Sequence, residues 1–137
     1  MYYNNFVMIM DKIKFKQCPK CKTWFSMEDI LENLNIIPLG MTVDEEDSTL
    51  SFFYFNHKCS ICDTTFVIPV RCFEPFITEP IPSDINFGNP SCEGHCTSIE
   101  DLMVCQQECL YAPFRRFLLK LIDMKKNIKT LKQLMEQ

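Results

Sequence analysis

The stretch CPKCKTWF, residues 18–25, decides how this chain is read, because its pattern returns as CSICDTTF at residues 59–66. Both follow C-x2-C-x3-F. Two residues between cysteines let a tight turn aim both sulfurs at one point. Two such turns supply four thiolates, the closed tetrahedral set of a structural zinc ion. Cys18, Cys21, Cys59 and Cys62 are therefore the candidate ligands of a first site. His57, two residues before Cys59, can replace a cysteine as ligand or hydrogen-bond a sulfur from outside the ligand set. Iron also suits all-sulfur tetrahedral geometry. Zinc is preferred because nothing nearby points to electron transfer.

The paired spacing and the matched flanks resemble zinc-ribbon and rubredoxin-like knuckles, over roughly residues 12 to 70. The resemblance implies a small antiparallel β unit closed by a metal. Two departures stand out. The gap between the pairs is long, and Lys22 and Asp63 stand where such knuckles often carry glycine. Working outward, Lys12 to Lys16 alternates charged and apolar side chains, which predicts a strand running into Cys18. Ser26 with Asp29 is a capping-box pattern ahead of Ile30, Leu31 and Leu34, so a short helix is inserted next. NIIPLGMTV and TLSFFYFNHK flank the acidic DEEDS and read as a hairpin; TTFVIPV adds a strand. Cys72 follows that strand and reads as a small buried apolar residue.

Prolines 75, 80, 82 and 90 mark residues 73–91 as an extended connector, held down by Phe73, Phe76, Ile77, Ile81 and Phe87. Beyond it a second set, Cys92, Cys96, Cys105 and Cys109, has the spacing C-x3-C-x8-C-x3-C. Ser98 and Asp101 repeat the capping pattern and predict a helix over 99–110. Cys105 and Cys109 would then share one face at i and i+4. Zinc, a [4Fe–4S] cluster and a pair of disulfides compete for this set, in which metal ligation ranks first. His95 can displace one of the cysteines or simply cap the helix.

From Pro113 an amphipathic helix is expected. Phe114, Leu118, Leu121, Ile128 and Leu131 lie on its apolar stripe, and Arg115, Arg116 and Lys120 lie beside it. These are the candidate partner-binding residues, for a protein partner or for self-association. The stripe serves equally well to cover the chain's own C-terminal unit. Residues 110–137 carry seven Lys and Arg against two Asp and Glu, in a chain of net charge -4. The acidic remainder speaks against nucleic acid as the partner.

Nine cysteines are present, an odd number. The N-terminus has neither the basic region nor the long apolar core of a signal peptide, and no apolar run is long enough to span a membrane. The expected compartment is therefore the cytoplasm, where grouped cysteines bind metal more often than they pair. Only three glycines exist, so a Gly-rich phosphate loop is excluded. No catalytic constellation converges in the sequence.

The expectation is an α+β protein: a zinc-ribbon-like antiparallel β unit with an inserted helix (1–72), a Pro-rich connector (73–91), and a Cys-rich helical unit (92–137). The function expected is that of a non-enzymatic, zinc-stabilised platform for protein interaction or regulation. An iron–sulfur or thiol redox protein using the second set is the alternative, and a nucleic-acid-binding regulator is the next. The order of motifs as a whole is similar to that of small uncharacterised bacterial cysteine-rich proteins, a resemblance that brings no activity with it.

Overall fold

The computed structural model describes residues 12–136. Within them the chain is α+β. Strands β1 (Lys14–Gln17) and β2 (Trp24–Ser26) form an antiparallel pair around the first cysteine turn. Inside that turn the Lys22 amide donates to the Cys18 carbonyl at 3.0 Å, and the Cys18 amide to the Thr23 carbonyl at 2.9 Å. Lys22 itself takes the left-handed conformation, φ 65°, at the position where related turns favour glycine. A side chain costs about 1–2 kcal/mol there. The Lys22 ammonium compensates in part by bonding the Pro19 carbonyl at 3.0 Å.

Helix α1 (Met27–Glu32) starts where the capping pattern predicts. The Asp29 amide donates to Ser26 Oγ, and the Ser26 amide to Asp29 Oδ2. Three longer strands follow in the order β3 (Ile36–Thr42), β4 (Phe52–Lys58), β5 (Asp63–Pro69), all antiparallel. The β4–β5 turn is the second cysteine knuckle, closed by the Cys59 amide on the Cys62 carbonyl at 2.9 Å.

Alternation along β4 and β5 buries Phe53, Phe55, His57, Phe66 and Ile68 on one face. A 3₁₀ segment, Val70–Phe76, comes next and buries Val70, Phe73 and Phe76, three residues apart. Phe73 lies 4.8 Å from Phe53 and 5.9 Å from Phe117, centroid to centroid, tying this segment to both sheet and C-terminal helix. Cys72 is exposed, contrary to the buried position expected of it. Val70, Phe73 and Phe76 take the inward face of the 3₁₀ turn, and Cys72 lies off it.

Helix α2 (Ala112–Met135) has Pro113 in its first turn. Its first half buries Phe114, Leu118, Leu121 and Ile122 in the core shared with the sheet. Each such side chain contributes about 1.5–3 kcal/mol of burial free energy. From Lys126 onward the helix is exposed. The helix expected over 99–110 does not form; residues 98–111 are irregular. The side chains meant to cap it make local turns instead. Ser98 Oγ takes the Glu100 amide, and Asp101 Oδ1 takes the Met103 amide. Arg115 and Arg116 then draw on the carbonyls of Asp101, Met103 and Cys105, which a helix would have used internally. Among the described residues, no helix is long and apolar enough to cross a membrane.

Candidate metal centre

The two cysteine knuckles meet at one end of the sheet. The register that pairs His57 with Thr64 and Lys58 with Asp63 sets the second knuckle just past the strand ends. The β1–β2 pair brings the first knuckle against it. Phe25 and Phe66, the aromatics that close the two C-x2-C-x3-F repeats, stack on each other at 5.9 Å with 18° between planes. The repeat in the sequence is thus a facing pair in space.

The ligand atoms of Cys18, Cys21, His57 and Cys62 all lie within 4.8 Å of one another. Cys18 Sγ and Cys62 Sγ are 3.9 Å apart, against ~3.8 Å for two sulfurs on one tetrahedral zinc with 2.3 Å bonds. His57 Nδ1 stands 3.3 Å from Cys62 Sγ and 3.7 Å from Cys21 Sγ. The ring is buried, and the edge of Phe25 at 4.9 Å fixes its plane. Cys59 is exposed. Its sulfur lies 3.4 Å from that of Cys62 but outside the set that converges. The expected four-cysteine site is therefore a site of five donors. Three cysteines and the histidine face one point, and the fourth cysteine sits at the rim.

Charge in the site is uneven. Thr23, through its hydroxyl at 3.3 Å and its amide, lowers the Cys21 thiol to about 6 and so favours its thiolate. Burial, reinforced by the neighbouring thiols, pushes Cys62 up to about 12. A thiol held low beside the raised, buried thiol of Cys62 is a donor set that a cation completes, with release of protons. The donors fit a metal ion in number, type and spacing. Thr23 was not among the residues singled out in the sequence; its place two residues after Cys21 is the only signal for it.

The second set is arranged differently. Cys92, Cys96, Cys105 and Cys109 all line one small cavity, about 20 Å³ in volume. Among the described residues, only the first set offers three or more ligand atoms all within 4.8 Å of one another. Cys105 and Cys109 are not one helical turn apart, because no helix carries them. His95 bonds Asp101 Oδ2 through Nδ1 at 2.9 Å and Glu93 Oε2 through Nε2 at 3.1 Å. Both ring nitrogens are engaged, so His95 has none left for a metal. Asp101, then Glu93, raises its pKa and favours the doubly protonated ring.

The partner-binding candidates divide. Phe114, Leu118 and Leu121 are buried in the chain's own core and are not on the surface. Arg115 is buried too, bonded to Asp101 and the Met103 carbonyl. Arg116 pairs with Glu79 at 2.6 Å. Ile128 and Leu131 remain exposed, as do Leu134 and Met135 beside them. The corrected reading follows from where the sheet ends: α2 outruns the surface that it covers.

No family model matches the chain, and no curated protein or solved structure matches it.

Proposed function

We propose that this chain is a metal-stabilised interaction module, in which one structural zinc ion holds the β unit together and the distal turns of α2 receive a protein partner. The convergence of Cys18, Cys21, His57 and Cys62 within 4.8 Å, in a buried setting, carries the reading. Three sulfurs and one imidazole nitrogen make a common closed zinc set. The histidine favours zinc over a rubredoxin-like iron, which takes sulfur alone. A shell filled by four protein ligands leaves no position for a substrate or activated water, which supports a structural role and not a catalytic one.

Exposed Ile128, Leu131, Leu134 and Met135, on the distal turns of α2, support the docking role. Nucleic acid gains less support, because Arg115 and Arg116 are held by internal acids and carbonyls. Elemental analysis, with thermal unfolding before and after a strong chelator, tests the reading. Bound zinc and a chelator-induced fall in Tm are expected. A metal-free protein whose Tm ignores the chelator would sink it.

A further inference from the structure

We propose that Cys92, Cys96, Cys105 and Cys109 form a second metal centre, which takes a single thiophilic divalent cation of the zinc class and clamps the irregular segment 77–111 onto the start of α2. The segment contains no strand and no helix beyond the 3₁₀ turn His95–Thr97. Structureless stretches longer than ~12–15 residues are uncommon in compact domains and need a tether. Four cysteines, two from its middle and two from near its C-terminal end, nevertheless line one cavity.

The cavity and its donors suit a thiophilic cation. About 20 Å³ exceeds the ~10–15 Å³ that one water needs. It has room for one ion between the four sulfurs. The surroundings suit thiolates. The Gly94 amide points at Cys92 Sγ at 3.4 Å and the Asn86 amide at Cys109 Sγ at 3.2 Å. The buried Arg115 guanidinium reaches Cys96 Sγ at 3.9 Å. Such donors orient ligating sulfurs and offset the excess negative charge of four thiolates on a divalent ion. Gly94 makes its contact from φ 79°, with open space where a Cβ would stand, so backbone conformation and not crowding calls for glycine. The sulfurs are more widely spaced than those of the first site. Loading the ion draws them inward, and the irregular backbone on which all four sit can follow.

This centre does not depend on the first. The full-length protein, purified anaerobically, is assayed for metals, inorganic sulfide and free thiols under denaturing conditions. Two zinc equivalents, no sulfide and nine thiols are expected. The Cys105→Ser/Cys109→Ser variant should keep one equivalent, and the Cys18→Ser/Cys21→Ser variant should keep the other. Because either variant can fail to fold, Co2+ titration of the wild-type apoprotein gives a second readout, with two equivalents entering tetrahedral thiolate sites. One equivalent in the wild type, lost only on changing Cys18 and Cys21, overturns the second centre and leaves the first standing. Sulfide, or thiols missing in pairs, overturns it in favour of a cluster or of disulfides. Absence of any metal overturns both centres.

Discussion

His57 and Cys59 are two residues apart and have exchanged the parts that spacing alone assigns to them. The pattern C-x2-C…C-x2-C nominates Cys59, whereas the packed structure turns His57 inward beneath Phe25 and leaves Cys59 at the exposed rim. His57→Ala is therefore expected to weaken zinc binding on the order of 100-fold, and Cys59→Ser by about 10-fold or less, within the range for groups around the ligands. Competition with a chromophoric chelator measures both, and a larger loss for Cys59→Ser would restore the four-cysteine set. Asp29 supplies a pH prediction at the same scale. Burial raises its pKa, but the Lys14 ammonium at 2.7 Å and the Ser26 amide and hydroxyl outweigh that and leave it below the usual value. The folded state thus favours the carboxylate. Its contribution is complete above the unfolded pKa of 3.8 and is lost as pH falls through the folded value. Asp29→Asn should cost about 1 kcal/mol at pH 7, with the gap to wild type closing below about pH 4. Urea midpoints of the two proteins at pH 7 and pH 3 check it.

Between elements, two contacts decide how the parts lock. Lys125, on α2, sends its buried ammonium to the end of α1, bonding the carbonyls of Ile30, Asn33 and Ile36. Burial pulls its pKa down to about 8, while the three carbonyls favour the charged form against that pull. A cation here satisfies the free carbonyls at the end of α1 and meets the negative pole of the helix. Lys125→Met keeps the apolar stem but leaves those carbonyls without a donor, and should destabilise by about 3 kcal/mol in urea unfolding. A loss under 1 kcal/mol would show that water replaces the ammonium. The second contact is at Gly40, in β3, where an added Cβ would lie 2.0 Å from the Ile99 carbonyl oxygen. Backbone cannot yield as a side chain tip does. Gly40→Ala should cost about 2 kcal/mol or more and speed amide exchange at Val43, whose N–H bonds the Cys96 carbonyl at 3.3 Å. Unchanged exchange would mean that the Cys96 segment is not seated on β3.

At the scale of the molecule, the fate of α2 divides near Lys126. Its first half completes the core around Phe53, Phe55 and Phe73, and its second half is exposed. A chain ending before Pro113 loses Phe114, Leu118, Leu121 and Ile122, more than ~5 kcal/mol of burial, which is comparable to the whole stability of a small domain. It should lack a cooperative thermal transition. A chain ending at Asn127 should keep the wild-type Tm within a few degrees. If both truncations unfold, the distal turns are part of the fold and are not free to dock a partner.

Much of this was legible along the chain. The hairpin β3–β4, the strand β5, the Ser26–Asp29 cap and the Pro113 start of α2 each rest on local chemistry: alternation, a side chain bonding its own neighbours, a ring that fixes φ. The two C-x2-C turns and their trailing phenylalanines were readable for the same reason. Tertiary structure alone decided which donor at the β4–β5 turn faces the metal point, because that depends on what packs above His57. It also decided that residues 98–111 are not helical. A local propensity there loses to Arg115 and Arg116, which take the carbonyls from more than ten residues away. Where the apolar stripe of α2 ceases to be core and becomes surface was likewise invisible in its period, since only the extent of the sheet beneath it sets that limit.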